Sequence, residues 1–580
     1  MSLLVLLHLV LLPLTPLLPL VLFAGLWWRR GSAFAMRLAP WGPLPALLLA
    51  LLPQNGTAFH VPWLLLGGNL GLDETGRTFL LLIAVLWLAA GFYACGYLAR
   101  DDKHRRFMAF FLLTMSGNLG LPIALGLFDF YAFFALMSFS AYGLVVHDGS
   151  SFALRAGRIY LYLVMLGEVL LFVALVLTAR AAESLLLEDA VAAIALAPDR
   201  NLILVLLVAG FGIKVGMVPL HVWLPLAHPA APVPASAVLS GAMIKAGLLG
   251  LMRLLPLGLI ALPGWAQSLI VLGLIMVFFG VLVGLTQTEA KTVLAYSSIS
   301  QMGFPILGIG LGLAEPAFWP YLAPAVAFYA LHHGLAKGAL FLGVGMAPEL
   351  ASGGGRRLLI LAGLALPALA LAGAPWTSGA LAKAALKPFV YGAPAFWPAL
   401  LPLLLSLAAL GTTLLLARFL FVLWPRGVNP HPPNCLMWVG WSLTVLALVL
   451  CSVDLLPLEN RSTGHDVSTG LWELLWPVSV GILLAALVWR RSRPAGGTQP
   501  LVPPGDLLVA LKKFLPPMIG LAMRLGSVLP RKSLRLQPPP GFWWHNLAVR
   551  RSLPEMEQAM RRMPVAGVLF LLILLLLLIL

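Results

Sequence analysis

From residue 3 to residue 490 the chain is a succession of apolar runs, most near 20 residues long and separated by short polar turns. About 20 residues is the length a helix needs to cross a hydrocarbon layer of about 30 Å. In lipid every backbone N–H and C=O has to be satisfied within the structure itself, so a sequence of this kind folds as a bundle of helices. With 61% hydrophobic and 10% charged residues over 580 positions, the chain reads as an all-α polytopic membrane protein. The net charge of +16 would raise nucleic acid as a partner for a soluble chain. Here the basic residues sit in short loops, Trp28-Arg-Arg30, Arg100-Asp-Asp-Lys-His-Arg-Arg106 and Arg490-Arg-Ser-Arg493, which marks the cytoplasmic face of a membrane protein. The expected partner is therefore the lipid bilayer, with no nucleic acid. Cys95, Cys435 and Cys451 are dispersed and make no disulfide framework or ligand spacing, so neither a cofactor nor a metal is expected.

Counting spans against the basic loops predicts 16 helices, at about 3–26, 40–53, 78–98, 107–127, 130–147, 158–180, 201–226, 234–254, 266–287, 292–313, 319–347, 358–390, 395–423, 434–453, 470–490 and 564–580. The first run is too long for a signal-peptide core and is read as a retained helix. This divides the chain into residues 1–104 (helices 1–3), 105–256 (helices 4–8), 257–425 (helices 9–13), 426–490 (helices 14 and 15), a basic segment 491–562 and a last helix 563–580. Within the basic segment, 505–527 alternates apolar stretches with lysine and arginine, as a helix lying on the membrane surface or a basic linker does. The count puts both termini on the outer side of a prokaryotic-type inner (cytoplasmic) membrane. Helices 7 and 12 read as broken by Gly or Pro at mid-membrane, helix 12 at Gly373-Ala-Pro375, and they lie five helices apart. Broken helices in corresponding places are the trace of inverted repeats, here helices 4–8 and 9–13.

Four of the ten lysines, Lys214, Lys245, Lys337 and Lys383, fall inside spans, and Glu168 is the one acid at the centre of a span. A charge at mid-bilayer costs at least about 2.5–3.5 kcal/mol, so residues placed there are functional by default. Burial favours a neutral amine and a nearby carboxylate favours the ammonium; a lysine alternating between the two settings takes up and releases a proton. Glu168 on helix 6 is the acid available to Lys214 on helix 7. On helix 11, Tyr329, His333 and Lys337 recur at steps of four on one face, and histidine relays protons near neutral pH. His332 points about 100° away, one residue around the helix. His221, seven residues after Lys214, shares its face, and His228 ends the same helix. Ser240 on helix 8, and Tyr296, Ser297, Ser298, Ser300 and Gln301 on helix 10, make polar stripes suited to holding water or to gluing helices together. Lys387 follows Lys383 by one turn and is expected to reach outer water. Haem ligation by His332 and His333 lacks a partner histidine at matching depth. No nucleotide-binding or hydrolase motif stands in a suitable context.

The run Lys214…Pro219-Leu-His-x-Trp-Leu-Pro225…His228…Ser236-Ala…Lys245…Arg253 resembles the proton-pathway core of the antiporter-like subunits found in respiratory complex I, Mrp-type sodium/proton antiporters and membrane-bound hydrogenases. Gln287-Thr-Glu-Ala-Lys291…Tyr296-Ser-Ser-Ile-Ser-Gln-Met-Gly303, His333-x-x-x-Lys337 and Gly373-x-Pro375…Lys383 are similar to further signatures of that family. The resemblance covers roughly 105–425. It implies a 14-helix core with two inverted five-helix repeats and a hydrated axis, along which Lys214, Lys245 and Lys383 carry protons with His333 and Lys337 between them. It also implies other membrane subunits with a redox or other driving module as partners, this chain being a proton-pumping subunit that is not itself redox-active. The family's glutamate on helix 5 is replaced, since this chain reads Ala135-Leu-Met-Ser; Gln301 stands where histidine is common, and Leu226 where aspartate is common. The chain is thus a divergent relative, with Glu168 the candidate replacement acid. The alternative is a cation/proton antiporter, or a proton-coupled inorganic-carbon uptake subunit working with a non-redox partner.

Overall fold

Among the described residues, fifteen helices are long and apolar enough to cross a membrane. The structure, a computed structural model, describes residues 2–28, 30–62, 67–351, 354–424, 433–453, 471–490, 500–507 and 509. The spans are α1 Leu3–Gly25, α2 Ser32–Leu51, α3 Glu74–Tyr97, α4 His104–Ile123, α5 Leu127–Val145, α6 Ser151–Ala182, α7 Arg200–Ala230, α8 Val233–Leu254, α9 Pro263–Leu285, α10 Ala290–Ala314 and α11 Pro316–Leu350. Next come α12, in two pieces, Gly355–Ala372 and Ser378–Tyr391, then α13 Trp397–Leu423, α14 Cys435–Ser452 and α15 Leu471–Arg490. The chain is a multi-pass membrane protein. The expected basic segment 491–562, the surface helix within 505–527 and the last helix 563–580 lie almost wholly outside the described residues.

Side chains that accept a first-turn N–H start several of these helices. Asp73 caps α3 through Gly76 N at 2.6 Å, Glu289 caps α10 through Thr292 N at 2.7 Å, and Asn434 caps α14 through Met437 N at 3.1 Å. The span count places helix 2 at about 40–53. It begins instead at Ser32, because a tight turn at Ala39–Trp41 carries the helix past both prolines. The loop that follows contains two short strands, Ala58–Val61 and Gly68–Gly71. The acidic loop before α7 contains a short helix, Leu187–Leu196.

Both expected breaks are present and use one device. At the end of the first half of α7, Gly216 is left-handed (φ +82°), its N–H bonded to Gly212 O at 2.9 Å, with Met217 N to Gly212 O at 2.8 Å. In α12, Gly373 (φ +86°) donates to Ala370 O at 3.0 Å, and Ala374 N to Leu369 O at 3.0 Å. This is the Schellman stop that glycine permits, and Pro219 or Pro375 follows with no N–H to extend the helix. The α7 break is tied across by Trp223 Nε1, which donates to Ile213 O at 2.7 Å. Around these pieces α8 and α11 are wholly enclosed and α10 nearly so, while α6 and α15 keep much of their surface outward. Close backbone approach holds α9 on α10, where a methyl group added to Gly273 would lie 2.6 Å from Gly303 O. At the C-terminal end of α8, Arg253 donates to Ala124 O at 2.6 Å, Pro122 O at 2.7 Å and Asp73 Oδ1 at 2.8 Å, binding the α4–α5 turn to the start of α3.

The basic loop before α4 is held by His147, whose Nε2 lies 3.0 Å from Asp101 Oδ2, and by Arg106, which donates to His147 O at 2.6 Å. Burial holds the His147 imidazole below the ordinary histidine pKa of 6.5, against the opposing pull of the Asp101 carboxylate. With the folded value depressed, the unfolded loop binds the proton first. The stabilisation is therefore complete above about pH 6.5 and is lost as pH falls through the folded value. Hydrogen exchange across residues 101–106, corrected for its intrinsic pH dependence, is expected to quicken on acidification, and His147→Gln to flatten that response.

Candidate functional site

Lys245 is 0% exposed and lies in an enclosed helix whose preceding turn is not α-helical. Residues Leu239–Met243 form a π turn, a feature frequent at functional sites and one the sequence reading, with a continuous helix 8, did not foresee. Lys245 Nζ donates to Ser240 O at 2.6 Å, and the Ser240 hydroxyl lies 2.7 Å from Ser298 Oγ on α10. The Ser298 hydroxyl donates to Leu294 O at 3.0 Å, and the same carbonyl accepts from Lys337 Nζ on α11 at 2.9 Å. Two lysines on different helices thus each end on a main-chain carbonyl, with the Ser240–Ser298 hydroxyl pair beside both carbonyls.

One turn from Lys337 on the same face is His333, fully buried, with no hydrogen bond on either ring nitrogen. One turn further, the Tyr329 hydroxyl donates to Gln301 Oε1 at 2.8 Å, and Gln301 Nε2 donates to Thr412 Oγ1 on α13 at 2.9 Å. The hydroxyls of Ser297 and Ser300 are buried without partners. Tyr296 is buried where α10 meets Gly284 of α9. His332 turns to the other side of α11, where its Nδ1 lies 2.9 Å from Ser378 Oγ at the start of the second half of α12.

Lys383 lies on that second half and reaches back across the break, donating to Ala372 O at 2.8 Å and Leu371 O at 3.3 Å. These are carbonyls that the helix stop leaves without an N–H partner. Its ammonium sits 5.4 Å from the centre of the Phe304 ring, a cation–π distance. Lys387, expected to meet outer water, is paired with Glu473 of α15.

Lys214, next to the α7 break, is buried between rings, 5.6 Å from the centroid of Tyr160 and 5.8 Å from that of Phe134. Its one hydrogen bond, 3.3 Å, goes to the Tyr160 hydroxyl, which itself donates to Ser138 O at 2.7 Å. Glu168 is 4% exposed, acts on Lys214 through space, and has no hydrogen bond on Oε2. His221 does not share the face of Lys214. Its seven-residue spacing assumes an unbroken helix, and the break at Gly216 redirects the ring edge-on to Phe279 of α9, with centroids 4.9 Å apart. His228 stacks on Phe341 of α11 at 4.7 Å, both nitrogens unpartnered, with the charges of Lys291, Lys337 and Lys245 around it.

The structure therefore gathers Lys245, Ser240, Ser298 and Lys337 into one buried cluster, the lysines on the carbonyls of Ser240 and Leu294 and the serines paired through their hydroxyls, and bonds Tyr329 to Gln301. It leaves Lys214 with Glu168, and Lys383 with Lys387, as separate clusters. Tyr160, Thr412, Ser378 and Glu473 were missed, because each is a partner supplied by a different helix, far away in sequence. No grouping of His, Cys, Asp and Glu suited to a metal occurs among the described residues.

Residues 124–386 match the family described as NADH:quinone oxidoreductase/Mrp antiporter, transmembrane. Hydrogenase-4 component B of Escherichia coli K12 is 32% identical over 289 residues, covering 48% of this chain and 43% of the relative. A putative antiporter subunit, mnhA2, of Staphylococcus saprophyticus is 32% identical over 369 residues, covering 58% of this chain and 45% of the relative. The chain thus spans less than half the length of these relatives. Among solved structures, the Mrp complex from Dietzia sp. DQ12-45-1b matches at TM-score 0.71 and 21% identity over 90% of this chain and 60% of that chain. The membrane-bound sulfane sulfur reductase, an archaeal respiratory membrane complex, matches at TM-score 0.62 and 21% identity over 83% of this chain and 98% of that chain. At such identity these two likenesses speak for the fold.

Proposed function

The chain belongs to the antiporter-like membrane subunits that NADH:quinone oxidoreductase and Mrp antiporters share, and on that premise we propose that it moves protons across the membrane as one subunit of a larger complex. The observation that carries the reading is the buried line from Lys245 through Ser240 and Ser298 to Lys337. A lysine ammonium deep in a bundle is costly; here two lysines each donate to a main-chain carbonyl, Ser240 O and Leu294 O, and the paired Ser240 and Ser298 hydroxyls beside those carbonyls can both donate and accept a proton. His333, one turn from Lys337, has both ring nitrogens unpartnered, as are the buried hydroxyls of Ser297 and Ser300 on α10, and buried polar groups of this kind are satisfied by water.

In the proposed cycle, protons enter from the cytoplasm and load Lys245. A weaker Glu168–Lys214 interaction changes the field at Lys245, and its proton passes over Ser240 and Ser298 to the Lys337 and His333 region. It then reaches Lys383 and leaves on the outer side. The driving force comes from other membrane subunits carrying a redox or other driving module. The company of other subunits is supported by the similarity to Hydrogenase-4 component B and to antiporter subunits, whose names make them parts of larger assemblies. The basic loops support a prokaryotic-type inner membrane, with both termini on the outer side.

The full chain, purified with its partner subunits and reconstituted in liposomes, tests the line directly. Ser298→Ala is expected to slow dye-reported proton flux about tenfold, less than the roughly hundredfold or more of a group that itself takes up the proton, because water can stand in for a hydroxyl. Ser298→Thr, which keeps the hydroxyl, should retain most of the flux. An unchanged rate in Ser298→Ala would remove the serine line as the route.

A further inference from the structure

The cycle above ends at Lys383 without an acceptor for its proton. Lys383 lines a cavity of about 330 Å³ whose walls are mostly apolar, among them Phe304, Val390, Leu403 and Trp476. At about 30 Å³ for each water in the liquid, that space holds several. Among the described residues, Glu473 is the one carboxylate lining it. Glu473 stands in the first turn of α15, outside the two predicted repeats, and is about half exposed. Lys387, its ion-pair partner, is one turn beyond Lys383 on the same half of α12 and lines the same cavity. Lys383 faces the helix break, and the Lys387–Glu473 pair is the more solvent-exposed part of the lining.

We infer that Glu473 is the outer acceptor of the translocated proton, an inference that rests on the proton-transport reading. An N–H bond of the Lys383 ammonium breaks, water in the cavity carries the proton, and an O–H bond forms on the Glu473 carboxylate. A neutral amine and a carboxylic acid remain, and no electrons change hands. The acid gives its proton to outer water, the carboxylate re-forms its pair with Lys387, and Lys383 is ready to be reloaded from His333 and Lys337. Lys387 keeps its charge throughout and positions the carboxylate on the cavity wall. A pair that merely pinned α15 to α12 would need the negative charge but not the ability to bind a proton.

Two substitutions separate these roles in the reconstituted complex. Glu473→Gln loses both the charge and the proton site, and is expected to cut outward flux about tenfold. Glu473→His cannot pair with Lys387 yet titrates near pH 6.5. It should recover a substantial part of the flux and make it depend on outer pH in that range, and Glu473→Asp should behave nearly as the native chain. Equal loss in Glu473→Gln and Glu473→His would reduce the pair to a clamp and overturn the inference, as would native flux in Glu473→Gln while Lys245→Met abolishes it. Native flux in Lys245→Met would bring down the proton-transport reading itself, and this inference with it.

Discussion

Replacing Lys245 by methionine is expected to lower proton flux by about a hundredfold or more, within the range attributed to a single proton-transfer group, while leaving the bundle about as stable as before. The side chain is 0% exposed and its single hydrogen bond is to Ser240 O at 2.6 Å. Methionine fills a similar volume without a charge, and replacing buried ionic groups by apolar ones of matching size is often neutral or stabilising by about 1–4 kcal/mol. Against that stands the Ser240 carbonyl left without its donor, at about 1–3 kcal/mol. The two terms are of similar size and opposite sign, so the thermal midpoint in detergent should move little. A lysine kept only for packing would show the reverse pattern, with flux preserved and the midpoint shifted. Flux and melting measured on the same preparation distinguish the two. Native flux from the methionine variant would take Lys245 out of the path.

What could be read ahead of the structure divides along physical lines. The breaks in α7 and α12 were legible because their cause is local: Gly216 and Gly373 accept a left-handed backbone, and the prolines that follow offer no N–H. Lys214 and Glu168 stood out because charge inside an apolar run is rare, and the structure places them within electrostatic reach. Tyr160 did not stand out. Its hydroxyl meets Lys214 only because α6 packs on α7, and nothing in the spacing of residues 160 and 214 announces that. Gln301 and Thr412 are separated by more than a hundred residues and meet for the same reason. The π turn at Leu239–Met243 has no mark in composition, yet it lies in the turn whose carbonyl Lys245 uses. His221 shows the opposite failure, in which correct helical arithmetic was applied across a break that invalidates it.

Exchanging Glu168 for glutamine should reduce coupled proton transport by roughly tenfold to a hundredfold with assembly intact, and the reason lies in what remains around Lys214. Glutamine keeps the shape of the side chain and a carbonyl oxygen but removes the one acid at the centre of a span. The lysine then retains only the Tyr160 hydroxyl and two aromatic faces. Those contacts hold an ammonium in place, but a hydroxyl and a ring quadrupole do not give a field that changes with protonation, as a carboxylate does. If the role of Glu168 is to set that field, its effect acts through Lys214. Glu168→Gln and Lys214→Met should then be strongly non-additive, the double variant transporting little worse than either alone. Position 135 offers a second check, because a related subunit would carry its acid there. Ala135 is half-buried on α5, between Phe134, over whose ring Lys214 lies, and the turn of Ser138, whose carbonyl accepts from Tyr160. Adding Ala135→Glu to Glu168→Gln should restore part of the flux if charge near Lys214 is what counts, since position 135 adjoins Phe134, over whose ring Lys214 lies. No recovery, together with simple additivity of the two single variants, would make Glu168 a packing residue, and the pair would drop out of the cycle.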